Sequence, residues 1–184
     1  ISLKNRKGWK VNTIIKKLSL AGLSLVFMSS SVFAHGPTPQ RVDEQIIIDA
    51  DVATVWQQVM AFDQLDKWHP AVESITMQDD STRIVKLKSG GEITESLDES
   101  DAERHYIGYR LLTENVEAMP VSFYTIGIEV EAADKGSQVI WSGRFYRADT
   151  GNFPPENLND EAAVKAMTEF ATSGLEGLKA SLEK

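Results

Sequence analysis

The segment Leu65-Asp66-Lys67-Trp68-His69-Pro70-Ala71-Val72 marks the point where the sequence changes from helical spacing to strand-like alternation. Pro70 disfavours helical geometry at the residue before it, so a helix through Leu65 should end near His69. The imidazole therefore stands at a boundary between two elements, where pockets commonly open. Trp68 is either a core side chain or the wall of such a pocket, and His69 is either a half-exposed polar tip or a binding residue.

The residues before this segment predict one strand and a helical region. Residues 41–49 alternate and end in three isoleucines, a β-branched run that favours a strand. Asp49 and Asp51 follow in a turn, and either aspartate can cap a helix. Apolar residues then recur at intervals of three and four, which indicates a helix that buries one stripe and leads into a second short helix before Pro70. The stripe consists of Val52, Val55, Trp56, Val59 and Phe62.

The residues after this segment, from Val72 to Arg147, predict a meander of antiparallel strands. Apolar residues recur at every second position, and short polar turns interrupt the pattern. Short turns between successive strands are typical of antiparallel pairing. Six strands are predicted near residues 73–78, 82–88, 91–98, 104–113, 121–132 and 137–147, and the strand at the N-terminal side brings the total to seven.

The C-terminal residues predict one long helix after a loop from Asp149 to Leu158. Asn159 is a plausible cap, and two acidic residues follow it at the positive end of the helix. Gly174 and Gly177 weaken the helix and indicate either close packing or a bend. Its apolar stripe is Ala163, Met167, Phe170, Ala171, Leu175, Leu178 and Leu182. The element order predicts an α+β domain in which a curved antiparallel sheet wraps the final helix.

Residues 1–34 have the layout of a secretory signal peptide. They contain six basic and no acidic residues, an apolar run from Leu18 to Met28, and small residues at the −3 and −1 positions before a cleavage site after Ala34. The apolar run is about half the length that spans a bilayer, so no stable membrane insertion is expected after cleavage. We therefore predict an exported, periplasmic protein with an extended arm at residues 35–40 and a single domain at 41–184.

Charge and cysteine content exclude several classes of function. The chain has 19 basic and 27 acidic residues, and without residues 1–34 the balance is 13 against 27, a net charge of −14. Such an excess argues against nucleic acid or an anionic membrane surface as a partner, and it is compatible with a basic protein partner. The absence of cysteine excludes disulfides, thiol catalysis and thiolate metal sites.

Four motifs in register carry a family resemblance. They are Trp68-His69-Pro70-Ala71-Val72, Pro120-Val121-x-x-Tyr124, Trp141-Ser142-Gly143-x-Phe145 and Gly174-Leu175-x-x-Leu178. With the element order, they resemble the START-like, Bet v 1-like (SRPBCC) superfamily and its polyketide cyclase-related branch over residues 41–184. The resemblance implies the helix-grip fold, in which a seven-stranded curved antiparallel sheet and a long C-terminal helix enclose a hydrophobic cavity.

Within that branch, the leader and the start at His35-Gly36-Pro37-Thr38-Pro39-Gln40 resemble the MxaD group of periplasmic accessory proteins of methanol oxidation. This resemblance implies a non-enzymatic helper, without a cofactor of its own, that assists electron transfer from methanol dehydrogenase to its cytochrome c. The alternative is a carrier of a small hydrophobic or aromatic ligand. A cyclase-like or dehydratase-like enzyme is a further alternative.

Strand alternation identifies the residues that would line such a cavity. These sets are either simple core or a ligand site, and the polar tips of Glu95, Tyr109 and Tyr124 on apolar faces favour a ligand site, because buried polar groups need partners. Methionine is a general gap filler, so its presence is less informative. The candidate ligand-binding residues are Trp68, His69, Ile93, Glu95, Tyr109, Tyr124, Ile126, Trp141, Phe145, Met167 and Phe170.

Catalytic and metal chemistry remain minor alternatives. His69 and Glu95 would form an acid/base pair only if both face the cavity mouth, and the sequence does not fix their separation. His35 would carry a free α-amine beside its imidazole after cleavage, a pair that can chelate copper, but two ligands make a weak site. The three histidines, at 35, 69 and 105, lack metal-site spacing, so no metal is predicted. His105 is expected at a solvated strand end without a role.

Overall fold

The computed structural model describes residues 37–183, so the predicted signal peptide and His35 lie outside the described residues. Seven strands and two α-helices follow in the predicted order, with 3-10 helices at Phe62–Lys67 and Glu156–Leu158. The strands and α-helices are β1 (Gln40–Ile48), α1 (Val52–Val59), β2 (Val72–Met77), β3 (Thr82–Leu87), β4 (Glu92–Asp101), β5 (Tyr106–Thr113), β6 (Val121–Ala132), β7 (Ser137–Arg147) and α2 (Asp160–Leu182).

The seven strands form one antiparallel sheet in the order β1-β7-β6-β5-β4-β3-β2. Strands β2 to β7 are a meander, as the short turns predict. The first strand pairs with the last, from Gln40 opposite Phe145 to Ile48 opposite Ser137. This pairing brings the N-terminal strand beside the α2 helix, which packs on β1 and β7. The predicted α+β helix-grip architecture is confirmed.

The two α-helices begin at the side-chain caps that the sequence predicts. The Asp51 carboxylate accepts a hydrogen bond from the Thr54 amide at 2.9 Å, and the Asn159 side chain accepts one from the Ala162 amide at 2.9 Å. Each cap satisfies an amide that would otherwise lack a partner in the first turn. The segment through Leu65 is a 3-10 helix that ends at Lys67, so the predicted stop before Pro70 is correct.

The glycines of α2 are close-packing positions. The helix continues through both of them. A Cβ at Gly177 would lie 2.1 Å from the Trp68 carbonyl oxygen, and a Cβ at Gly174 would lie 2.8 Å from the His69 ring. Only hydrogen at these positions lets the helix approach the Trp68-His69-Pro70 turn. The open choice between a bend and close packing is therefore settled in favour of packing.

Strand β4 is longer than its alternation predicts. It continues to Asp101, whereas the polar residues from Asp98 were expected to form a turn. Register shifts between Thr94 and Glu95 and between Leu97 and Glu99 place extra residues in the strand. An ion pair between Asp98 and Arg110 of β5, at 2.5 Å, joins the extension to its neighbour. The polar residues of this bulged strand therefore have the composition of a turn although they belong to β4.

The core lies between the inner face of the sheet and α2. It includes the interior stripes of both helices and the inward residues of the strands. Of the helices within residues 37–183, none has the length and apolar character needed to cross a membrane.

Candidate functional site

A fully buried ion pair lies on the inner face of the sheet. Arg83 of β3 and Glu95 of β4 are opposite each other in the register, and their exposed fractions are 3% and 1%. The Arg83 Nε and Nη2 atoms both lie 2.6 Å from Glu95 Oε2. The other Glu95 oxygen accepts a hydrogen bond from the Tyr124 hydroxyl of β6. Both oxygens of the carboxylate are therefore occupied.

Aromatic rings and one carbonyl complete the surroundings of Arg83. Its Nη1 atom donates to the Phe62 carbonyl oxygen at 2.6 Å. Its guanidinium carbon lies 3.9 Å from the centre of the Phe62 ring and 5.0 Å from that of Tyr109. A buried guanidinium is stable only with such compensation, because an unpaired charge in the interior is very unfavourable. The pair joins β3, β4 and the 3-10 helix before Pro70.

The two tyrosines near this pair stay protonated. Burial raises the pKa of Tyr109 well above its usual value, and the negative charge of Glu95 raises it further. Burial and the same carboxylate raise the pKa of Tyr124 in the same direction. Both hydroxyls therefore keep their protons at neutral pH and do not act as bases, and that of Tyr124 donates to Glu95.

His69 lies in a separate aromatic cluster. Its exposed fraction is 1%, and its ring centre lies 4.0 Å from that of Phe170 and 5.9 Å from that of Trp141. The Trp68 ring also lies 5.9 Å away. The imidazole is thus enclosed by the 3-10 turn, by β7 and by the middle of α2, with Gly174 giving the space for it.

The protonation state of His69 follows from its contacts. Burial lowers its pKa to about 4, while the nearby Phe170 carbonyl opposes this shift. Nδ1 accepts a hydrogen bond from the Ala71 amide at 3.2 Å. A neutral imidazole carries one proton, so this acceptor role assigns the proton to Nε2. His69 is therefore neutral at pH 7 and offers one N–H group.

Three buried nitrogens of this cluster lack a hydrogen-bond partner among the described residues. They are Nε1 of Trp68, Nε2 of His69 and Nε1 of Trp141. In the tautomer assigned above, each carries a hydrogen and is a donor. The centres of these three rings lie about 6 Å from one another. The interior therefore holds three donor groups without an acceptor at hydrogen-bond distance, with the Phe170 carbonyl near that of His69.

A surface pocket of about 220 Å³ opens beside this cluster. Leu87, Met119 and Ala166 contribute apolar walls, and Phe170 lines it on the inner side. Phe170 is only half-buried, and its ring stacks on His69. The Phe170 side chain therefore contacts both the pocket and the His69 ring.

The candidate residues from the sequence fall into three groups. Glu95, Tyr109 and Tyr124 belong to the ion-pair network, and Trp68, His69, Trp141 and Phe170 form the aromatic cluster. Ile93, Ile126, Phe145 and Met167 are buried members of the apolar core. All eleven candidates except Phe170 have exposed fractions of 7% or less, so the inward directions derived from alternation agree with the observed burial.

His69 and Glu95 have separate partners. Glu95 is bound by Arg83 and Tyr124, whereas His69 is bound by the Ala71 amide. Within residues 37–183 no hydrogen bond joins them, and each is committed to its own cluster. The geometry does not assemble the acid/base pair that the sequence left open.

Sequence reasoning missed Arg83. The signal was present, because Arg83 shares its strand face with Val85 and Leu87, and all three are buried.

His105 also differs from expectation. It is half-buried, with a positive φ of 50°, and the centre of its ring lies 5.8 Å from the centre of the Trp56 ring. No group of three or more potential metal ligands occurs in residues 37–183.

Comparison with known proteins places this geometry in context. A family model described as polyketide cyclase / dehydrase and lipid transport matches residues 39–183. No curated protein matches the chain at a significant level.

Solved structures share the fold at low sequence identity. The protein XoxI from Bacillus cereus has a TM-score of 0.66 and 23% identity over 80% of this chain and 96% of its own. An uncharacterised protein from Bacillus thuringiensis has a TM-score of 0.65 and 23% identity over 80% and 100%. The Zhui aromatase/cyclase from Streptomyces sp. R1128 has a TM-score of 0.60 and 16% identity over 79% and 94%.

Proposed function

The chain belongs to the polyketide cyclase / dehydrase and lipid transport family, and from this premise we propose that it acts by binding and not by catalysis. The observation that carries the proposal is the bonding state of two buried groups, Glu95 and His69. Both oxygens of the Glu95 carboxylate accept hydrogen bonds, from Arg83 and Tyr124. His69 is neutral, and its hydrogen bond is to the Ala71 amide and not to Glu95. Glu95 has no oxygen left to accept a proton from a substrate, and the basic nitrogen of His69 already accepts the Ala71 amide.

The binding role that we propose is that of a periplasmic accessory protein, which assists electron transfer between methanol dehydrogenase and its cytochrome c. The resemblance of the leader and residues 35–40 to the MxaD group supports it. The net charge of −14 after Ala34 supports docking on a basic surface, because complementary charge accelerates encounter and selects partners.

Salt dependence tests the docking role. We expect the affinity for methanol dehydrogenase or its cytochrome c, measured by surface plasmon resonance, to fall as the salt concentration rises, because exposed charges are screened beyond about 10 Å at 0.1 M salt. The unfolding midpoint at each salt concentration is the control. Binding that does not change with ionic strength would contradict an electrostatic role, and absence of binding to both proteins would contradict the accessory function.

A second candidate is a carrier of a small aromatic or apolar ligand. The pocket beside Phe170 and the three N–H donors behind it favour a flat apolar molecule that bears an acceptor oxygen. Native mass spectrometry of the protein purified from its own periplasm tests this function, since a carrier should retain a ligand. A ligand-free spectrum, together with no change in tryptophan fluorescence on addition of hydrophobic probes, would exclude it.

A further inference from the structure

The outer face of the sheet carries a row of polar side chains that crosses four neighbouring strands. Arg110 of β5 lies opposite Thr125 of β6. Thr125 lies opposite Arg144 of β7, which in turn lies opposite Arg41 of β1. All four residues are exposed, whereas both chain neighbours of Arg110 and of Thr125 are buried. Because side chains alternate along a strand, the row lies on the face that points away from the core.

Two arginines of this row lack an anionic partner. Arg110 is paired with Asp98, but among residues 37–183 no carboxylate forms an ion pair with Arg41 or Arg144. Like charges directly opposite each other on neighbouring strands destabilise a sheet. The fold therefore holds two guanidinium groups side by side without compensation, and an anion bound from outside would offset their repulsion.

The charges around this pair are balanced, although the chain as a whole is acidic. Asp43 and Glu99 lie one row away on the same face, and Glu99 is paired with Arg104 at 3.3 Å. The surface thus has four arginines and three carboxylates, a net charge of +1, from Arg41, Arg104, Arg110, Arg144, Asp43, Asp98 and Glu99. Glu114, past the end of β5, lines a separate depression and brings the balance to zero. The predicted mature chain carries −14, so this surface differs from the acidic remainder.

An aromatic pair borders the row on its other side. Phe123 of β6 lies opposite Tyr146 of β7, and their ring centres are 6.4 Å apart. Phe123 is 40% exposed, and Tyr146 is half-buried. Each residue stands two positions from the row on its own strand, which is a distance of about 7 Å. Arginine and aromatic side chains are the types most enriched at the energetic centres of protein interfaces.

We propose that this arginine face, made of Arg41, Arg144, Thr125 and the Phe123–Tyr146 pair, docks an acidic segment of a partner protein that carries an apolar side chain beside its carboxylates. The face is open and not concave, so it suits a protein segment better than a small molecule. The proposal goes beyond the accessory function and does not rest on it, because docking on a basic partner would use the acidic surfaces of the chain.

The spacing of the two arginines fits two carboxylates. Residues directly opposite each other on neighbouring strands have Cβ atoms about 4.5–5.5 Å apart. Side chains at positions i and i+4 of a helix are about 5–6 Å apart. Each guanidinium can therefore hold one carboxylate of such a helix through two parallel hydrogen bonds, while an apolar neighbour contacts the aromatic pair.

NMR titration of the isotope-labelled protein tests the proposal. The probe is a synthetic helical peptide with glutamates at positions i and i+4 and a leucine at i+3. We expect saturable shifts of the Thr125 and Arg144 amides and a dissociation constant of about 0.1–1 mM, because exposed ion pairs are weak. The affinity should fall as salt is added. The same peptide with lysines in place of the glutamates should not bind.

A charge-matched pair of variants locates the binding surface. Arg41→Gln/Arg144→Gln should raise the dissociation constant roughly tenfold, because it removes both charges that face the peptide. Lys135→Gln/Lys165→Gln removes two positive charges from exposed lysines outside the arginine face, and should leave the dissociation constant unchanged. Phe123→Ala should also weaken binding, but without changing its dependence on salt. Circular dichroism of each variant confirms folding.

Thermal melting without peptide gives an independent readout. Because Arg144 faces another arginine and has no carboxylate partner in the described fold, Arg144→Gln should keep or raise the melting temperature.

Three outcomes would overturn the proposal. They are the absence of amide shifts at about 1 mM peptide, an Arg41→Gln/Arg144→Gln variant that binds as tightly as wild type, and a melting temperature that falls in Arg144→Gln. Self-association of the wild-type protein that the double variant loses, without any binding of the peptide, would also overturn it and assign the arginine face to a second copy of this chain.

Discussion

Removal of the charge of Glu95 is the perturbation that tests the interior most directly. Glu95→Gln keeps the size of the side chain and leaves an oxygen near the Tyr124 hydroxyl, but it leaves the Arg83 guanidinium without its counter-ion. Arg83 is 3% exposed, so water cannot replace the lost partner. The variant therefore isolates the ionic contribution from the effect of a cavity.

The expected loss of stability is large. Breaking a buried ion pair by removing one partner typically costs about 3–5 kcal/mol, because the other charge remains buried. For a domain of this size, the melting temperature should fall by roughly 6–20 °C. Tyr124→Phe, which removes a single hydrogen bond to the carboxylate, should cost less, about 1.5–3 kcal/mol.

Urea denaturation at pH 7, followed by tryptophan fluorescence, gives the free energies of unfolding. The cycle consists of Glu95→Gln, Arg83→Met and the double variant Arg83→Met/Glu95→Gln. Because the double variant leaves no uncompensated charge, it should be more stable than the sum of the two separate losses predicts, by about 2 kcal/mol or more.

Two results would refute this reasoning. A loss below about 1 kcal/mol for Glu95→Gln would mean that the pair is hydrated or easily rearranged. Additive losses in the double variant would mean that the two side chains do not interact in the folded protein. Catalytic activity that disappears in Glu95→Gln without loss of stability would contradict the binding role.

Three further predictions concern the Trp68-His69-Pro70 turn and its surroundings. Folding lowers the pKa of His69 from 6.5 to about 4, so between these pH values the unfolded state binds a proton that the folded state does not. The free energy of unfolding should therefore fall by about 3 kcal/mol as the pH falls from 6.5 towards 4. Urea denaturation of wild type and His69→Asn at each pH should show this fall in the free energy of unfolding for wild type only. Parallel pH profiles of the two proteins would contradict the assignment to His69. Gly177→Ala should destabilise by about 3 kcal/mol or more, and by more than Gly174→Ala, because its Cβ would lie 2.1 Å from the Trp68 backbone oxygen whereas that of Gly174 would lie 2.8 Å from a side-chain ring; thermal melts that rank the two variants in the opposite order would be inconsistent with this packing. Phe170→Ala should open the pocket to the aromatic cluster, so that a hydrophobic fluorescent probe quenches tryptophan emission more strongly than in wild type, and an unchanged titration would argue against Phe170 as the barrier.

Much of the fold could be predicted because its determinants are local. Alternation at every second residue identified six strands of the meander, and caps at Asp51 and Asn159 marked the starts of both α-helices. The end of β4 could not be placed, because the bulges that extend it depend on its pairing with β5. The inward directions of the candidate site residues on strands followed from the same alternation, so their burial was predictable although their grouping was not.

The sequence by itself determined which faces are apolar, where the α-helices begin, and that Pro70 turns the chain into the sheet, since each depends on neighbouring residues; it did not place the end of α1 at Val59. Only the tertiary structure decided that Glu95 is bound by Arg83, that His69 forms no hydrogen bond with either of them, and that Gly174 and Gly177 are close-packing positions. These facts depend on which strand lies beside which, and on how near α2 approaches the turn. Such distances arise from residues far apart in the chain, and no local pattern encodes them.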